Sequence, residues 1–300
     1  MIPLPPEGED RLGVEAEARR RLSERPERGE LPSPRRAVGA IVTTFNDAAH
    51  VALTLRGLLN QVAQVVVVDL GSKDRTRETV AERFPGLAVL ELPLEAGFGA
   101  ALNEGARRLD QPFLLALHGD ARLRPGALEQ LYATVNDSRA RVGCCGPRLV
   151  APHGVVELSA GFRPTRWRRW RAAWTLLLPR WKMLRPRRRP KRVAYFAASV
   201  RTDVDWVSGA AMMMRREAFD EAGGMDDRYF LAYGDVDMCL RLRRAGWIVT
   251  YEPRARAIHL DRVDENVRSR RAARRRFERR HGAVGRLLGR SRGGVKPTGA

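Results

Sequence analysis

Four consecutive valines ending in an acid, Val65-Val66-Val67-Val68-Asp69, constrain this chain more than any other feature. A β-branched run without polar alternation reads as a strand buried on both faces, and such strands belong to parallel sheets covered by helices. The neighbouring segments agree. Val38–Phe45, Ala88–Leu92, Phe113–Leu117 and Val142–Cys145 read as further buried strands. Between them, Asp47–Gln61 carries Val51, Leu55, Leu58 and Leu59 at helical spacing. Asp74–Phe84, Gly99–Leu109 and Pro125–Ser138 read as helices too. The β-α-β-α alternation predicts an α/β fold with a mostly parallel sheet and helices on both faces. Ligands of such sheets bind beyond the carboxyl ends of the strands, where Asn46, Asp69 and Asp120 fall.

The second half is less regular. Val204–Met214 reads as a strand, Arg216–Ala222 as a helix, and Asp235–Ala245 as a helix ended by Gly246. Ile248–Tyr251 and Ala255–His259 read as two short strands. Charge divides the chain further. The net charge is +20, yet residues 163–192 hold thirteen Lys/Arg and no acid, and residues 262–300 hold thirteen Lys/Arg and three acids. Everything else is close to neutral. The expected organisation is a Pro-rich disordered leader (1–36), a folded domain (37–261) interrupted by a basic insertion (163–200), and an Arg-rich tail (262–300).

Several classes drop out. No apolar run approaches the roughly 20 residues of a membrane span. The N-terminus lacks the plan of a signal peptide. Three cysteines, Cys144, Cys145 and Cys239, make no disulfide framework and no CxxC. Gly97-Phe98-Gly99 resembles a dinucleotide fingerprint, but its third glycine is missing and it follows the third strand instead of the first. A basic tail on a near-neutral core is not the charged groove of a nucleic-acid enzyme, so no specific nucleic-acid partner is expected.

Three constellations have chemical potential, and each also has a plain structural reading. Asp69 can accept from a nucleobase imide or a ribose hydroxyl, or merely end a strand. Ser72 and Asp74 are good helix N-caps. Asp120 can hold a divalent metal that neutralises a diphosphate; His118 beside it can join or be structural. Asp235 and Asp237 open a helix, one as a cap and the other facing a cleft. A carboxylate there suits a general base toward a sugar hydroxyl, or forms an ordinary acidic first turn.

Order and spacing say more than any one segment. The chain carries AIVTTFN at 40–46, VVVVDLGSKDRT at 65–76, EAGFGAALNEGAR at 95–107, LLALHGDARLRPGAL at 114–128, DWVSGAAMMMRREAFDEAGGMDDRYF at 205–230, and GDVDMCLRLRRAGW at 234–247 closed by a P-x-A-x-x-x-H. Together these resemble the family 2 glycosyltransferases of the GT-A fold, especially bacterial rhamnosyltransferases of cell-wall and polysaccharide assembly. The resemblance implies a Rossmann-like, mostly parallel central sheet flanked by helices. It implies an inverting, metal-dependent transfer of a hexose, rhamnose being favoured, from a dTDP- or UDP-linked donor to a lipid-linked or polysaccharide acceptor. By the same resemblance, Thr43, Asn46, Asp69, Gly97 and Asn103 would bind the donor nucleotide. Asp120 and His259 would hold Mn2+ or Mg2+. Trp206, Ser208, Gly209 and Ala210 would line the donor-sugar and acceptor pocket, and Asp235 would be the general base. Gly234 stands where the family has Glu, and His118 where its metal motif has a first acid. These two departures motivate an alternative, a family member that binds nucleotide or glycan precursor without turnover.

The insertion interleaves Trp167, Trp170, Trp174 and Trp181 with Arg and Leu. That composition resembles an interfacial helix. The expectation is an anionic membrane surface contacted through 163–192 and 262–300, and a cytoplasmic enzyme peripheral at the inner face of the plasma membrane.

Overall fold

In the computed structural model, the valine run lies inside a nine-stranded sheet. The structure describes residues 33–162, 199–229, 233–260 and 275–281. The expected leader and basic insertion fall almost wholly outside these residues, as does most of the tail. Residues from Pro34 onward form one unit.

Four strands form the parallel half of the sheet: β1 (Val38–Thr44), β2 (Gln64–Asp69), β3 (Ala88–Glu91) and β4 (Phe113–His118), in the order β3-β2-β1-β4. The other strands are β5 (Ala121–Leu123), β6 (Val142–Val150), β7 (Ala160–Gly161), β8 (Thr202–Val204), β9 (Trp206–Val207), β10 (Ala211–Arg215) and β11 (Ile248–His259). β10 runs antiparallel between β4 and β6. β11 lies parallel to β6 and takes β5 and β8 as antiparallel partners. β7 and β9 form a separate two-stranded ribbon.

Strand side chains alternate between two cores. Ile41, Val66, Val68, Leu114, Ala116, Met212 and Met214 face α4 (Gly97–Arg107), α6 (Arg216–Glu221) and α7 (Gly234–Arg244). Ala40, Val42, Val65, Val67, Leu115, Leu117 and Met213 face α2 (Val51–Leu58), α3 (Thr76–Arg83) and α5 (Ala127–Val135). A short α1 (Pro34–Ala37), inside the expected leader, precedes β1. Burial on both faces is why the valine run shows no polar alternation. Each such side chain contributes about 1.5–3 kcal/mol relative to exposure. Close approach matters at Gly105, where a Cβ would lie 2.4 Å from Ile41 Cγ2, so α4 sits directly on β1.

Two expectations change. Val204–Met214 is not one strand: β8, β9 and β10 are three short pieces paired to β11, β7 and β4/β6, with a turn at Gly209-Ala210. The apolar run is continuous because each piece is buried, in a different place. Conversely, β11 is a single strand that keeps pairing with β6 through a register irregularity between Glu252 and Arg256. Within the tail, residues 275–281 are helical, with Phe277 and His281 buried. Among the described residues, no helix is long and apolar enough to cross a membrane.

Candidate active site

The parallel register of β1 and β2 sets Thr44 opposite Asp69 at their carboxyl ends. The Thr44 hydroxyl donates to Asp69 Oδ2 at 2.9 Å, the Ser72 hydroxyl donates to the same oxygen, and the Ser72 N–H donates to Oδ1 at 2.9 Å. Asn46 has φ 57°, in the left-handed region that Asn tolerates better than most residues. Its N–H donates to Ser72 Oγ at 2.9 Å and its Oδ1 accepts from the Lys73 N–H at 2.8 Å. Asn46 and Ser72 thus fasten the loops after β1 and β2 to each other around a fully buried Asp69. Thr43 lies on the opposite face of β1, toward His118, and its carbonyl accepts from the Gly119 N–H at 2.8 Å. Gly97 (φ 74°) opens α4. Asn103, further along α4, exchanges two hydrogen bonds with the Met225 backbone, at 2.8 and 2.9 Å. Its amide therefore anchors the loop that leads toward α7.

The second cluster forms at the end of β4. His118, Asp120 and His259 each offer a ligand atom within 4.8 Å of the others. β5 brings them together: Ala121 pairs with His259, and the Leu260 N–H donates to the Asp120 carbonyl at 2.8 Å. His259 Nε2 lies 3.4 Å from Asp120 Oδ2, and its Nδ1 lies 3.1 Å from Glu157 Oε2. Burial alone would lower His259, but its bonds to Asp120 and Glu157 hold it up at about 9. Burial would raise Asp120, yet His259 and His118 keep it below the ordinary carboxylate range. The protein packed around His118 shifts it the other way, well below an ordinary imidazole, so its neutral ring has a free nitrogen to offer.

The third part is Asp235, in the first turn of α7. Its Oδ2 accepts from the Gly209 N–H at 3.0 Å and its Oδ1 from the Val236 N–H at 2.8 Å. Gly209 is confined: a Cβ there would lie 2.9 Å from the Phe98 ring and 3.3 Å from Asp235 Cβ. Phe98 in turn meets the His118 ring edge to face, centroids 5.0 Å apart. The Ala210 carbonyl accepts from the His118 N–H at 3.0 Å. Gly209 and Phe98 thus form a chain of contacts from Asp235 to His118. Ser208 sits in the same turn, its N–H on the Ser159 carbonyl. Trp206 is buried against Gly161. Asp237, sequence partner of Asp235, is buried as well: it faces Arg241 and His281 instead of a cleft.

Reading the sequence missed three residues here, and His118, which it offered as a companion of Asp120, lies in the cluster. Thr44 bonds to Asp69. Glu157 orients His259, the carboxylate–histidine pairing usual behind metal ligands. Asp47, on the loop after β1, is pushed up to about 7 by burial, with the charges of Asp120, Asp74 and Asp69 adding and the Phe45 amide opposing. Its Oδ2 would be only 2.5 Å from a Cβ on Gly119, so the middle of the His-Gly-Asp motif must stay glycine. The period-2 rule on β1 could have found Thr44; nothing in the sequence marks Glu157.

Comparison with known proteins identifies the family and the fold. The profile described as "Glycosyltransferase like family 2" matches residues 34–281. An N-acetylglucosaminyl-diphospho-decaprenol L-rhamnosyltransferase of Mycobacterium tuberculosis is 28% identical over 236 residues, covering 73% of this chain and 74% of that protein. Rhamnosyltransferase WbbL of Escherichia coli is 43% identical over 58 residues, 19% of this chain and 22% of that one. The mannosyltransferase PcManGT from Pyrobaculum calidifontis, solved with GDP-Man and Mn2+, has a TM-score of 0.51 at 20% identity, over 95% of this chain and 73% of its own. GalNAc-T7, solved with UDP, GalNAc and Mn2+, has a TM-score of 0.54 at 15% identity, over 76% of this chain. This chain spans 44% of GalNAc-T7. At these identities the two structures bear on the fold alone.

Proposed function

The chain belongs to the glycosyltransferase-like family 2 and has the GT-A fold, and from that premise we propose an inverting, metal-dependent transfer of a hexose from a nucleoside diphosphate sugar to a lipid-linked acceptor. The carrying observation is the placement of a metal-competent cluster and a buried, hydrogen-bonded Asp235 on either side of Phe98 and Gly209. Rhamnose and a polyprenol diphosphate acceptor are supported by the mycobacterial relative, whose name specifies both.

The donor set fits a divalent cation. It joins one carboxylate to two imidazoles, one of them already oriented by Glu157. Mn2+ or Mg2+ held by Asp120, His259 and His118 would supply positive charge against the departing diphosphate. His118 thus replaces a family acid with another ligand, which weakens the reading of a binding-only protein. The strand ends at Asp69, Thr44, Asn46 and Ser72 would receive the nucleoside, and Ser208, Gly209 and Ala210 the sugar. Asp235 would take the proton from the acceptor hydroxyl. The acceptor oxygen then bonds to the anomeric carbon as the bond from that carbon to the diphosphate oxygen breaks, and the configuration inverts. The basic composition of 163–192 and 262–300 supports an anionic membrane surface as the place where a lipid-linked acceptor is met.

Turnover of dTDP-rhamnose on N-acetylglucosaminyl-diphospho-polyprenol tests this, with the anomeric product read by NMR. Asp235→Asn is expected to lower kcat by about 10²–10⁴-fold. Full turnover by Asp235→Asn, or retention at the anomeric carbon, would refute the mechanism.

A further inference from the structure

Among the described residues, the helix at 275–281 adds no ligand to the metal cluster, yet its contacts converge on the turn that carries Asp235. Phe277 is fully buried, stacked on Tyr233 with centroids 5.2 Å apart and 25° between planes. It also meets the Tyr229 ring edge to face at 6.5 Å. His281 Nε2 lies 2.7 Å from Asp237 Oδ1, and its Nδ1 lies 2.9 Å from the Arg244 guanidinium. Arginine can only donate, so Nδ1 accepts and the proton sits on Nε2, aimed at Asp237. Arg280 pairs with Asp226 and with Asp237 at 3.2 Å. Arg241 closes the network, its Nε on Asp237 Oδ2 at 2.7 Å and its terminal nitrogen on the Ala222 and Gly224 carbonyls.

These contacts bracket Asp235 on both sides in sequence. Tyr233, two residues before it, has φ 70°, a conformation a bulky residue adopts only when its surroundings hold it there. Asp237, two residues after it, is the buried anchor that His281 and two arginines grip. The stacking of Phe277 and the bonds of His281 and Arg280 tie this segment to the start of α7, and the tie works in both directions.

We propose that residues 275–281 brace the catalytic turn, with Phe277 and His281 as positioning residues for Asp235. This rests on the reading of Asp235 as the general base. Among the described residues, Phe277, Arg280 and His281 make no bond to Asp69, Asp120 or His259. Loss of the brace should therefore disturb the chemical step and leave donor binding intact, since small displacements of a base are costly to rate.

The test uses the full chain and four variants: Phe277→Ala, His281→Ala, His281→Gln and Asp235→Asn. Glutamine keeps an N–H donor near the Nε2 position. Three readouts are taken well below each variant's Tm: kcat and KM with dTDP-rhamnose and N-acetylglucosaminyl-diphospho-polyprenol, calorimetric dTDP affinity with Mn2+, and amide hydrogen exchange at 233–237. Phe277→Ala and His281→Ala are expected to lose tenfold or more in kcat and to exchange faster at 233–237. Their dTDP Kd should stay within twofold, and His281→Gln should recover most of the kcat. Should Phe277→Ala fail to fold, His281→Ala and His281→Gln carry the comparison. Wild-type kcat and exchange in folded Phe277→Ala or His281→Ala overturn the brace. So does a parallel loss of kcat and dTDP affinity, which marks a purely structural helix. Exchange reports on the brace even if this donor and acceptor pair gives no turnover. Full activity in Asp235→Asn would instead remove the base assignment, a separate failure.

Discussion

Asp47 shows what a carboxyl costs when it is folded in beside other carboxyls. Its group is raised from an ordinary 3.8 to about 7 by burial, with Asp120, Asp74 and Asp69 adding. The folded, metal-free chain therefore keeps a proton that the unfolded chain gives up. Stability from this group is fully present below about pH 4, falls as pH rises, and is gone above about pH 7. Asp47→Asn is expected to remove that fall. The stability difference between variant and wild type should grow from pH 4 to pH 8, with a ceiling of about 4 kcal/mol. Urea unfolding in EDTA at the two pH values measures it, and a pH-independent difference would contradict it. Glu157 has a different part, orienting His259 from behind. Glu157→Gln is expected to weaken Mn2+ binding by about 10–100-fold, read by EPR titration, with little change in Tm. At this scale Asp69, Asp120 and Asp235 stood out as candidates because each falls at the end of a strand or the start of a helix, whereas His259 came from the family resemblance alone. Glu157 did not stand out, because its meeting with His259 bridges 102 residues through a loop without periodic pattern. Asp47 was read only as the start of a helix.

Among the elements, the parallel half of the sheet was readable because burial on both faces writes itself as unbroken apolar strands. The same signal misled at Val204–Met214, where three buried pieces pair with different partners and no polar residue marks the exit from one sheet to the next except Asp205 and Ser208. β5 is three residues long, too short for any period, yet it sets His259 beside Asp120. The packing of α4 on β1 is testable at Gly105. Alanine is the better helix former there by about 1 kcal/mol. Its Cβ would nonetheless fall within 3.3 Å of three Ile41 carbons, the nearest at 2.4 Å, so α4 must retreat from the sheet. Gly105→Ala is expected to destabilise by about 1–3 kcal/mol in urea unfolding. A variant as stable as wild type would show that this helix has slack against β1.

For the whole molecule, strand order decides function more than any one side chain does. β1 ends at Thr44 and β2 at Asp69 beside it, β4 ends at His118, β11 ends at His259, and the turn before β10 presents Gly209 to Asp235. On the proposed reading, the parallel half would hold the nucleoside, and the mixed half would hold the metal and the base. Sequence order alone made this division visible in outline, whereas the docking of residues 275–281 required the fold, since an Arg-rich segment carries little pattern beyond its charge. The most direct measurement is calorimetric binding of dTDP and UDP, each with and without Mn2+, to wild type and to Asp120→Ala. The expected result is Mn2+-dependent binding of one nucleotide diphosphate that Asp120→Ala loses. Binding of neither, or equal binding without metal and in Asp120→Ala, would contradict a metal-assisted donor site.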